Sequence, residues 1–198
     1  MSGGTLVHLE HRGPVAVITL DNPPVNAMGA SVRVALKAAL AAERPLLLRG
    51  EPGTGQSQLA RAAAALLERH LLVHAVDART ETRDLLYTID AVSRLAHAQL
   101  AGAMHASRDR ALEHIDMMLF VQPGPLWWAY NPAGARAQAK RSHAPLLGGE
   151  DEAGDARGVV LLIDEIDKAD PSVPNGLLDA FGGGCFHVEG RFAVTAAE

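Results

Sequence analysis

Aromatic side chains are scarce in this chain, at 4% of its 198 residues. With 48% apolar residues there is still enough for a packed core, but Leu, Val and Ala have to supply most of it. Cysteine is nearly absent. Cys185 stands alone, which excludes an intramolecular disulfide, suits a reducing cytoplasm, and leaves the residue as a small buried apolar group in a strand. No apolar run approaches the roughly 20 residues that a membrane helix needs, so no membrane association is expected. The N-terminal stretch MSGGTLVHLEHRG lacks the basic region and apolar core of a signal peptide. Neither sign of charge dominates. Lys and Arg total 18 against 23 Asp and Glu, interleaved to a net charge of −5, which argues against nucleic acid as a partner. The nine histidines form no pair at helical spacing with an acid, so zinc is not expected.

One further absence is the most informative. The run Gly50-Glu51-Pro52-Gly53-Thr54-Gly55-Gln56-Ser57 fits the phosphate-binding pattern G-x-x-x-x-G-K-[ST] except that Gln56 stands where the lysine belongs. In such a loop the glycines let the backbone approach a polyphosphate closely, and the helix that follows aims its N-terminal N–H groups at the same anion. The flanks agree. Pro45–Arg49 is a short apolar run suited to a buried parallel strand. Gln58–His70 reads as a helix with Leu59, Ala63, Leu66 and Leu67 on one side. An ordinary glycine turn between strand and helix is the alternative for the loop taken alone. If the loop holds phosphates, Gly50, Pro52, Gly53, Thr54, Gly55, Gln56, Ser57 and Gln58 are its candidate nucleotide-binding residues, and Ser57 offers a hydroxyl to Mg²⁺.

Further along, Val159–Ile163 is an apolar strand that ends in Asp164-Glu165. The carboxyl end of a buried parallel strand opens on the crevice where ligands bind in α/β sheets. Asp164 there is a candidate Mg²⁺ ligand opposite Ser57, and Glu165 a candidate catalytic base for the attacking water. The alternative is a solvated strand end with helix-capping acids.

The remaining segments frame these motifs. Thr5–Glu10 and Val15–Leu20 form a predicted hairpin, and Ser31–Ala42 a predicted helix. A second strand is predicted over Leu71–Asp77, a polar turn over Thr80–Asp84 and a helix over Leu85–Leu100. Ala111–Val121 is apolar enough for a helix, Leu126–Lys140 reads as one long helix behind Pro125, and Arg141–Gly158 as a mobile surface loop. A helix over Val173–Phe181 and two short strands, Cys185–Val188 and Phe192–Thr195, follow. Strands alternating with helices after residue 44 predict a layered α/β domain with a mainly parallel sheet. The expected fold is a P-loop three-layer sandwich over residues 43–198, preceded by a hairpin and helix over 1–42.

Residues 44–190 resemble the AAA+ ATPases, most closely the MoxR-like branch and its dynein-related relatives. The resemblance rests on Arg44–Gly55, Asp84–Tyr87, Gly124–Tyr130, Val160–Pro171 and Asn175–Ala180. It implies ATP and Mg²⁺ as cofactors and an ATP-dependent remodelling module, usually a homo-oligomeric ring of six. It also implies a client protein, often one with a von Willebrand A domain, and use of the Gly-Pro-Leu helix at residues 124–130 towards that client. Packing is the alternative for Trp127 and Trp128. The family continues with a sensor strand, an arginine finger and a helical lid; Phe192–Thr195 is a candidate start for the first. Gln56 carries no charge where the family has lysine, so weakened ATP affinity and weak or lost hydrolysis are expected, with ATPase activity itself in question. Lys168 and Arg83 are expected on the surface, with nucleotide or a neighbouring subunit as the alternative.

At the front, Val7–Glu10 and Arg12–Ala27 resemble the first hairpin of the crotonase (enoyl-CoA hydratase/isomerase) family. Gly182-Gly183-Gly184 faintly echoes that family's second oxyanion segment, with a turn after a helix as the plainer alternative. Two other functions therefore stand beside Mg-ATP binding: a nucleotide-independent interaction module, supported by Gln56, and an acyl-CoA enzyme, supported by residues 7–27.

Overall fold

The computed structural model describes residues 7–12, 15–20, 34, 36–37, 40–41, 45–49, 56–104, 112–147, 158–189 and 192–196. The front hairpin is present: β1 (Val7–Arg12) and β2 (Val15–Leu20) pair antiparallel from Val7 opposite Leu20 to Arg12 opposite Val15. The other edge of β2 runs parallel to β3 (Leu46–Arg49), the strand that leads into the glycine loop. In the predicted helix between them, Val34, Leu36, Lys37, Leu40 and Ala41 are helical, and Leu36 is buried.

After the loop comes α1 (Gln56–Leu67), which starts two residues before the predicted boundary and stops earlier. Glu68 takes a left-handed conformation at φ 53° and turns the chain, so His70 opens the next strand, β4 (His70–Ala75). The buried side of α1 is Leu59, Ala60, Ala63 and Ala64, while Leu66 is exposed, contrary to the predicted face. Alanines at these positions bring the helix backbone close to the sheet. There β4 pairs in parallel with β7 (Val159–Asp164), His70 opposite Val159 through Ala75 opposite Asp164. Leu161 and Ile163 share one face of β7 and pack on a cluster of Leu85, Leu126, Val173, Leu177 and Ala180. Val160, Leu162 and Asp164 share the other, on the side of α1. Helices thus cover the β4–β7 ladder on both sides, the three-layer arrangement of a P-loop α/β fold.

The segment between β4 and β7 departs most from expectation. The predicted polar turn at residues 80–84 overlaps α2 (Thr82–Leu86), opened by a capping box in which the Glu81 N–H donates to Asp84 Oδ2 at 2.9 Å. The predicted helix over 85–100 is broken by β5 (Tyr87–Ile89), which pairs antiparallel with β6 (Val121–Pro123). Only then does α3 (Ala91–Ala103) begin, with Asp90 as its cap accepting from the Ser93 N–H and hydroxyl at 2.9 and 2.7 Å. Ala111–Val121 is not one helix: Met117–Leu119 is a single 3₁₀ turn, and Val121 belongs to β6. The predicted helix over 126–140 is two, α4 (Pro125–Tyr130) and α5 (Pro132–Arg141). Asn131 ends the first and caps the second through the Gly134 N–H at 2.8 Å, with Pro132 pre-set for the first helical turn. Of the predicted surface loop, Arg141 ends α5, residues 142–147 follow it, and residues 148–157 lie outside the described residues.

The second core lies here. Trp127 is 1% exposed and meets Phe186 edge-on at 6.0 Å and Phe192 in a stacked pair at 5.9 Å. Tyr87, Val121, Trp128, Ala135, Ala139, Val188 and Val194 complete the cluster. Gln138 is buried among them and donates from Nε2 to the carbonyls of Met118 and Val121 at 2.6 and 2.7 Å. Gly124 is required where α4 begins, because a Cβ there would lie 2.7 Å from the Leu85 carbonyl oxygen. The Gly-Pro-Leu helix therefore packs into the core, and Trp127 and Trp128 take the packing alternative.

Finally, α6 (Ser172–Gly183) is longer than predicted and absorbs Gly182 and Gly183, with Gly184 as a left-handed cap at φ 62°. The strands β8 (Cys185–Val188) and β9 (Phe192–Thr195) pair with each other as an antiparallel hairpin. Phe192–Thr195 therefore closes a local hairpin instead of starting a sensor strand. Cys185 is half-buried and unpaired. Among the described residues no helix is long and apolar enough to cross a membrane.

Candidate functional site

The end of β7 and the start of α1 meet. Ser57 Oγ donates to Asp164 Oδ2 at 3.3 Å, across 107 residues of sequence. Asp164 is placed by the β4–β7 ladder, which the Val76 N–H extends by donating to the Asp164 carbonyl at 3.0 Å. Its other carboxylate oxygen, Oδ1, accepts from the Glu165 N–H at 3.0 Å, which leaves Oδ2 turned towards Ser57. Ser57 and Gln58 lie exposed in the first turn of α1, which carries no acidic residue. Its first-turn N–H groups form the positive end of the helix dipole. Gln56 is the first residue of α1; the loop residues Gly50, Pro52, Gly53, Thr54 and Gly55 lie outside the described residues.

A hydroxyl and a carboxylate oxygen converging beside a helix N-terminus are the hard oxygen donors that Mg²⁺ selects, and the N-terminus favours the phosphates such an ion accompanies. The residues present fit the pair of ligands.

Glu165 follows directly but is held differently. Its backbone is left-handed, φ 59° and ψ 33°, which is uncommon for a residue with a β-carbon. Its carboxylate Oε1 accepts from Lys168 Nζ at 2.6 Å, and both side chains are about half exposed. The hydrogen bond to Glu165 holds the Lys168 ammonium above its ordinary pKa, and the fields of Glu165, Asp167 and Asp164 add to it. Lys168 is thus exposed, as expected, and pairs there with Glu165; opposite charges three residues apart on a helical turn are the signal for that pair. Arg83 is exposed, and its guanidinium lies 3.8 Å from the Glu81 carboxylate. Asp77, just past β4, is committed to its own turn. The Arg79 N–H and then the Thr80 hydroxyl lower its pKa, at 2.8 and 3.0 Å.

A strand, a glycine loop and a helix that meets the acid at the tip of a parallel strand define a P-loop nucleotide-binding protein. Comparison with known families gives the finer class. Residues 45–198 match the AAA domain of the dynein-related subfamily, and the chain belongs to that family of ATPase modules. No curated protein and no solved structure gives a significant match.

Proposed function

We propose that the chain is a Mg-ATP-binding module of the MoxR-like branch in which hydrolysis is weak or lost. One observation carries this: Ser57 Oγ and Asp164 Oδ2 lie 3.3 Å apart at the N-terminus of α1. In this proposal the backbone from Pro52 to Ser57, together with Gly50 and Gln58, cradles the phosphates, and Ser57 and Asp164 hold Mg²⁺. When bound, the ion neutralises charge on the phosphate oxygens. Glu165 accepts the proton of the attacking water. Gln56 donates hydrogen bonds but brings no charge, and each charge-assisted contact it forgoes is worth roughly 1.5–3 kcal/mol. The family is typically oligomeric, which supports a homo-oligomer; a client with a von Willebrand A domain, coupling to protein remodelling and a cytoplasmic location are parts of the same proposal. Residues 1–42 are a front unit docked through β2 onto β3, and 43–198 the ATPase core.

Titration with a fluorescent ATP analogue in Mg²⁺ tests this against the Gln56→Lys variant. The expected result is detectable binding that tightens roughly 10- to 100-fold with lysine. Binding only in the variant assigns the natural chain to the nucleotide-independent class. No binding in either, or preference for an acyl-CoA, overturns the proposal.

A further inference from the structure

We infer that Lys168 is a latch on Glu165: by pairing with its carboxylate it keeps the water-activating group occupied until the pair opens. The inference rests on the proposed role of Glu165 as base. Three observations carry it. The pair is short, 2.6 Å, and engages Oε1 directly. The left-handed backbone at Glu165 breaks the strand direction, and the turn closes through the Lys168 N–H on the Glu165 carbonyl at 2.9 Å. Backbone and side chain thus bring the same two residues together. The third is that the fields of Asp167 and Asp164 act on the lysine in the same direction as Glu165 and favour its charged form. A carboxylate already bonded to an ammonium has lost lone pairs and net charge that it needs to attract a water proton. Both partners are about half exposed, at 57% and 47%, so the pair is shallow and opens readily. Lys168 is accordingly a positioning residue; it acts through Glu165 and needs no contact with nucleotide.

The test uses the full chain carrying Gln56→Lys, where turnover is expected to be measurable. Adding Lys168→Met is expected to raise kcat roughly two- to fivefold, the worth of an exposed ion pair, with KM and analogue affinity unchanged. Lys168→Arg, which keeps the pair, is expected to retain the parent kcat. With Glu165→Gln in place, Lys168→Met is expected to have no effect on the residual rate. An unchanged or lower kcat in Lys168→Met, while Glu165→Gln abolishes turnover, overturns the latch and leaves the base standing. Undiminished turnover in Glu165→Gln overturns the base and the latch together, as does the absence of turnover in every variant. A shift of kcat and affinity together shows that Lys168 acts on binding and also overturns the latch.

Discussion

Around Trp127 the chain is closed, and at the tip of β7 it is open. The tryptophan is 1% exposed between two aromatic rings, and Gln138 satisfies two buried carbonyls beside it. Along β7 no residue is fully buried, and Ser57 and Glu165 are exposed. The difference teaches where stability and chemistry are kept. The aromatic cluster sits on elements joined by the long-range β5–β6 pairing and by the local β8–β9 hairpin. The site gathers charged and polar groups at an exposed edge, and the left-handed Glu165 is among them.

Substitutions can break that contrast. The largest expected effect is from Trp127→Ala, which should cost about 3–5 kcal/mol in urea unfolding through lost burial and a cavity. Ser57→Ala should change the same curve by less than about 0.5 kcal/mol. A comparable loss at both positions would show that site and core are one cooperative unit and erase the distinction. Next comes Gln138→Leu, which leaves the Met118 and Val121 carbonyls without their donor at a cost of roughly 1–3 kcal/mol. Equal stability of that variant would mean that water replaces the amide and the cluster is not dry. The smallest effect is confined to alkaline pH. Burial raises Tyr130 from 10.0 to about 12, with the Cys185 charge adding to it, while its hydroxyl donates to the Ala180 carbonyl at 3.0 Å. The folded state then holds the phenol proton longer than the unfolded state. Stability should be unaffected by this group below pH 10 and fall as pH rises from there through about 12. Tyr130→Phe should flatten that limb, measured as melting temperature against pH; an unchanged limb would assign it to other groups.

Much of the candidate site was legible in sequence because it is built from short, local patterns. The apolar run before Gly50, the helix after it and the run ending in Asp164-Glu165 each occupy one window, and each forms its element. The Glu165–Lys168 spacing lay in plain view as well, but the pair itself shows only in the turn that joins the two residues. Less of the closed region could be read. Tyr87–Ile89 has the apolar spacing of a helix when only its neighbours are counted, and becomes a strand because Val121–Pro123, more than thirty residues away, supplies the hydrogen bonds. Asn131-Pro132 did carry a local break signal, and the apolar periodicity running through it hid that signal.

The sequence by itself determined the phosphate-loop frame, the two carboxylates and the missing charge at Gln56, since each depends on residue type and close spacing. Only the tertiary structure decided that Trp127 and Trp128 are core, that Tyr87–Ile89 is a strand beside Val121–Pro123, and that Ser57 reaches Asp164. These depend on which distant segments pack together, and a pattern of neighbours does not contain that information.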